Sequence, residues 1–101
     1  MTVASTVSEP SPDIRQDLLL DGRVRLRQFA QGYRAGMDAA LLAASVAPGD
    51  GARLIEAGCG AGGVLTQVAA RHLQCHLTGL EREAATADLA RQNMDLNGLN
   101  D

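Results

Sequence analysis

The chain has 101 residues, 46% of them apolar, and a net charge of −3, which places it among globular proteins of one small domain with a modest core. All nine basic residues are Arg, and the acidic balance argues against a free-standing nucleic-acid-coating protein while leaving room for a local basic patch. Two cysteines, no signal peptide at the start and no stretch near the ~20 apolar residues of a membrane span lead to the expectation of a reduced, soluble, cytoplasmic protein.

In chain order, residues 1–13 are rich in Ser, Thr and Pro and read as a disordered leader. Residues 14–36 read as a basic hairpin and loop. Leu18-Leu19-Leu20 and Arg23–Gln28 flank Asp21-Gly22, a pair that tolerates positive φ at both turn positions. Strict alternation in the second run sets Val24 and Leu26 on one face and Arg23, Arg25 and Arg27 on the other. Gln31–Gly36 is a loop with two glycines. Met37–Val46 is a helix rich in Ala and Leu, with Asp38 in its dipole-complementing first turn and Pro48-Gly49 closing it.

Arg53–Ala57 is a short buried strand that feeds the glycine loop Gly58–Gly63. Val64–Arg71 follows as a helix with Val64, Leu65, Val68 and Ala69 in one stripe. Cys75–Leu80 is a second strand ending at Glu81, and Ala84–Leu96 is a helix stopped by Asn97-Gly98. This βαβα order predicts an α/β fold with a parallel strand pair, Rossmann-like, preceded by the hairpin and a helix. With no Trp, one Phe (Phe29) and one Tyr (Tyr33), its core is expected to be thin and built from Ala, Leu and Val.

The chemistry concentrates in Glu56-Ala57-Gly58-Cys59-Gly60-Ala61-Gly62. Glycines at a strand-to-helix turn let backbone bend tightly and let a ligand come within contact distance. Gly58, Gly60 and Gly63 also satisfy the dinucleotide fingerprint, so an NAD(P)-dependent oxidoreductase domain is an alternative. Glu56 separates the two readings. A carboxylate two positions before the first glycine repels a pyrophosphate and attracts an ammonium, such as that of S-adenosylmethionine. Glu81, 19 residues past Gly62, suits ribose hydroxyls and fits either cofactor.

Leu20–Leu99 resembles the small-domain S-adenosylmethionine-dependent methyltransferases, and within them the bacterial branch that methylates N6 of an adenine in valine tRNA. The resemblance rests on the basic hairpin, on Gly32-Tyr33-Arg34-Ala35-Gly36-Met37-Asp38-Ala39-Ala40-Leu41-Leu42-Ala43, and on Glu56 to Gly62. It implies that Glu56, Gly58, Gly60 and Gly62 line the methionine side, that Glu81 meets the ribose and that Asp38 lies near the pocket. It also implies that residues 37–101 are the first part of a larger cofactor domain. The family's Asn-Pro-Pro-Tyr-type tetrapeptide is missing, since the three prolines are Pro10, Pro12 and Pro48. The chain therefore reads as truncated, with cofactor residues, no catalytic ones and no methyl transfer of its own; a non-catalytic degenerate fragment is a further alternative.

Cys59 has no adjacent His and is read as a small residue that fits the loop. His72, Cys75 and His76 lack the second pair that a zinc site needs. Arg23, Arg25, Arg27 and Arg34 divide evenly between a phosphate-contacting surface for tRNA and a solvated strand edge protected by charge.

Overall fold

The computed structural model describes residues 13–32 and 34–99. Residues 1–12 of the expected leader, Tyr33 and residues 100–101 lie outside them. Asp13 lies just before the first strand, its carbonyl accepting the Ala30 N–H at 2.9 Å.

Strands β1 (Ile14–Leu19) and β2 (Val24–Phe29) form an antiparallel hairpin, with Leu19 opposite Val24 and Ile14 opposite Phe29. The first strand starts four residues before the expected leucine run, and the turn spans Leu20–Arg23 rather than Asp21-Gly22 alone. The core sets this register. Leu19 and Val24 share a face, so Val24 and Leu26 are buried, and Leu20 is left in the turn with φ 50°. Arg23 consequently belongs to the turn and not to the strand face that carries Arg25 and Arg27.

Helix α1 (Met37–Ser45) buries Ala39 and Ala43, one turn apart, and packs against α2 (Gly63–Arg71). Strands β3 (Arg53–Ala57) and β4 (His76–Leu80) are parallel, Arg53 opposite His76 and Ala57 opposite Leu80. Helix α3 (Ala84–Leu96) closes the unit, matching its expected bounds. The chain is thus a small α/β structure of two two-stranded sheets and three helices among the described residues.

Leu26, Leu89, Val24, Val68 and Leu65 supply most of the buried apolar volume, as the ring-poor composition predicts. Gln28, Thr66, Gln67 and Asn93 are buried with them, each hydrogen-bonded. The inner face of the parallel pair lies over Cys59, Leu65 and Ala90, with Leu77 and Met94 beside them. Its outer face is open, leaving Ile55 70% and Leu80 54% exposed. Among the described residues, no helix is long and apolar enough to cross a membrane.

Candidate functional site

The C-terminal ends of β3 and β4 point to the same end of the sheet, and the Gly58–Gly63 loop rises there into α2. Gly58, Gly60 and Gly62 have φ of 69°, 58° and 96°, the left-handed region that side chains disfavour. A Cβ added at Gly58 or Gly60 would meet nothing within 4 Å, so these two residues turn bare backbone to open space.

Close approach explains two further glycines. A Cβ at Gly63 would fall 2.6 Å from that of Ala35, so the loop before α1 lies directly on the glycine turn. At Gly79, in β4, a Cβ would fall 2.6 Å from Cys59 Sγ and Leu65 Cδ1. A glycine inside a strand is itself a sign of close approach, and it was legible as such.

The loop is held at successive peptides. Cys59 N–H donates to the Leu80 carbonyl at 3.0 Å and Gly62 N–H to the Cys59 carbonyl at 3.0 Å. Gly60 N–H donates to Glu81 Oε1 at 3.0 Å, and Asn93 Nδ2 donates to the Ala61 carbonyl at 2.7 Å. Beside the loop opens a cleft of about 390 Å³, floored by Gly58, Gly60 and Glu56 and walled by Gln28, Gly32 and Ala35. The wall is tied to the hairpin through Gln28. Its Oε1 accepts the Ala35 N–H at 2.6 Å, and its Nε2 donates to Asp17 Oδ2, which also takes Arg34 at 2.7 Å. Nothing in the sequence singles out this triad except that Gln28 occupies an inward position of a strand.

Glu56 lines the cleft, and its Oε1 is buried without a hydrogen-bond partner. Burial pushes its carboxyl above the usual carboxylate range. Glu81 stands in the opposite condition. Its Oε1 takes Gly60 N–H and its Oε2 takes Glu83 N–H at 3.0 Å, and these backbone donors, Glu83 first, hold its pKa down. It opens on a neighbouring depression that it shares with Gly58, so the two carboxylates flank the glycine loop. Burial, then the charges of Glu56 and Glu81, pushes the Cys59 thiol up, the reverse of what a nucleophile needs. Asp38 lies exposed on the first turn of α1, outside the cleft lining, while its neighbour Ala39 lines it.

Of the four arginines, Arg34 is paired with Asp17, and Arg23 donates to the Ala70 carbonyl at 3.2 Å, near the C-terminal end of α2. Arg27 reaches Gln92 Oε1 at 3.4 Å, and Arg25 is exposed on the same strand face. No protein-family model and no curated protein matches the chain.

Proposed function

We propose that this chain is the cofactor-binding part of an S-adenosylmethionine-dependent methyltransferase with a Rossmann-like sheet. The observation that carries the reading is Glu56, a carboxylate oxygen buried in the cleft with no partner. Leaving such a group unsatisfied costs free energy, so its retention is best explained by a ligand that satisfies it. The positive end of α2 opens on the same cleft, with no side chain capping it. An anion site beside a cation site suits a zwitterionic amino-acid group, its ammonium on Glu56 and its carboxylate at the helix start. A pyrophosphate would meet the Glu56 carboxylate as a like charge.

Glu81 keeps free lone pairs for ribose hydroxyls while its two oxygens hold Gly60 and Glu83. The exposed outer face of the β3–β4 pair suits cover by a further layer, as in Rossmann-like folds, because parallel sheets are ordinarily covered on both faces. When bound, the cofactor supplies an activated sulfonium methyl, so the protein has mainly to bind and orient rather than to move protons. The parent reaction we assign is methylation of an adenine N6 amine in tRNA, on the likeness of Gly32–Ala43 and the hairpin arginines to that branch. The residues that would present the amine are not among those of this chain.

Calorimetry on the chain tests the assignment. S-adenosylhomocysteine is expected to bind and NADH is not. Glu56→Gln is expected to weaken S-adenosylhomocysteine by roughly 10- to 100-fold, the scale of one charge-assisted hydrogen bond. Tighter binding of NADH than of S-adenosylhomocysteine would overturn the cofactor.

A further inference from the structure

We infer that Asn93 is the positioning residue of the cofactor loop, and that it sets the loop with the same amide that fastens the basic hairpin. The inference rests on the reading of the cleft given above. Asn93 is fully buried on α3. Its Oδ1 accepts the Arg27 N–H at 2.7 Å. Its Nδ2 donates to the Arg27 carbonyl at 2.9 Å and to the Ala61 carbonyl at 2.7 Å. One donor and two acceptors face the amide, so only one of its two orientations satisfies all three, and both N–H protons are used.

Asn97, one helical turn later, shows what is special about this. It treats Arg25 as Asn93 treats Arg27, accepting the N–H at 2.8 Å and donating to the carbonyl at 2.6 Å. Two side-chain amides thus pair the edge of β2 that β1 leaves free, much as a third strand would. The spare proton of Asn97 returns to its own helix, at the Asn93 carbonyl. That of Asn93 goes to the glycine loop.

Its target has unusual freedom. Ala61 lies between Gly60 and Gly62, both left-handed, where a peptide plane rotates at little steric cost. The Ala61–Gly62 peptide is gripped at both ends, its N–H by the Cys59 carbonyl at 3.0 Å and its C=O by Asn93. These groups point in opposite directions, so holding both fixes the plane that leads into α2. The direction of the free N–H groups at the helix start, on which an anionic ligand group depends, follows from that plane. Asn93 touches no ligand and acts through Ala61.

The experiment pairs Asn93→Asp with Asn97→Asp in the 101-residue chain. Each keeps the acceptor for a β2 N–H and loses the donors; only the first loses the Ala61 bond. Amide NMR shifts of Gly60–Gly63 and the affinity for S-adenosylhomocysteine are measured for both. Asn93→Asp is expected to move the loop resonances and weaken binding about tenfold. Asn97→Asp is expected to move resonances near Arg25 and leave both loop and affinity unchanged. Equal effects of the two variants, or an Asn93→Asp loop at wild-type shifts, would overturn the inference. If the wild-type chain does not bind S-adenosylhomocysteine, the cofactor reading falls, and the loop shifts alone decide the positioning role. Should Asn93→Asp not fold, exchange of the Asn93 side-chain amide in the wild-type protein decides. It slows on addition of S-adenosylhomocysteine if the inference holds and is unchanged if it does not.

Discussion

A carboxylate oxygen buried without a partner is a cost that the fold carries, and Glu56 carries it at Oε1 beside bare glycine backbone. Burial raises its pKa, so ionising it costs the folded chain more than the unfolded one. The stabilising contribution is therefore complete below its unfolded pKa and is lost as pH rises through the folded value. Glu56→Gln is expected to be more stable than wild type at pH 7, by the order of 1 kcal/mol, and the gap should close toward pH 4. Thermal melts at both pH values check this, with 1 kcal/mol equal to about 4–8 °C in a domain of this size. A variant that melts lower than wild type at pH 7 would remove the case for Glu56 as a ligand group held at a cost. Glu81 has the opposite sign. Backbone donors depress its pKa, so its contribution is present above the unfolded value and lost as pH falls through the folded one. Glu81→Gln is expected to flatten the acid limb of the stability profile.

At the scale of elements, hydrophobic period and turn chemistry made most of the fold legible. The bounds of α3 and β3 and the parallel pairing follow from the apolar runs and the Gly and Asn stops that flank them. The hairpin was less legible, because its register is decided by which residues reach the core, and Asp21-Gly22 marks a turn without fixing its length. Least legible were the contacts between elements. Gln28, Asn93 and Asn97 are ordinary polar residues in sequence, and only their partners across the fold distinguish them. The two asparagines do stand four residues apart, one in the last turn of α3 and one at its C-terminal cap, a weak sign of a shared polar face. Gly79 is the element-scale test. Gly79→Ala places a methyl 2.6 Å from both Cys59 Sγ and Leu65 Cδ1, side chains pinned in the core under the sheet. It is expected to cost about 1–3 kcal/mol in denaturant melts. Gly98→Ala, with open space around it but φ of 68°, should cost less and spare the glycine loop. A loss at Gly79 no larger than that at Gly98 would mean that Cys59 and Leu65 yield to the added methyl and that close packing does not require this glycine.

Across the whole molecule, charge is distributed so that a net acidic chain still presents cationic groups on one hairpin face. Four arginines were candidates for a phosphate backbone, and their surroundings divide them. Arg34 is committed to Asp17. Arg23 serves a helix end, where its charge complements the dipole of α2. Arg25 is exposed, and Arg27 spends one long contact of its five donors on Gln92. If tRNA binds here, two guanidinium groups do most of the phosphate neutralisation. Each neutralised phosphate releases condensed counterions, so the salt dependence of binding counts them. Two contacts correspond to a slope of log K against log salt of roughly −1.4 to −1.8, and four to roughly −2.8 to −3.6. Fluorescence anisotropy with labelled tRNA across a salt series is expected to give the shallower slope. Arg25→Ala and Arg27→Ala should each reduce it by about one contact, whereas Arg23→Ala should leave it unchanged and lower the melting temperature instead. A slope near the four-contact value, or one that Arg25→Ala does not alter, would place the nucleic acid on some other surface.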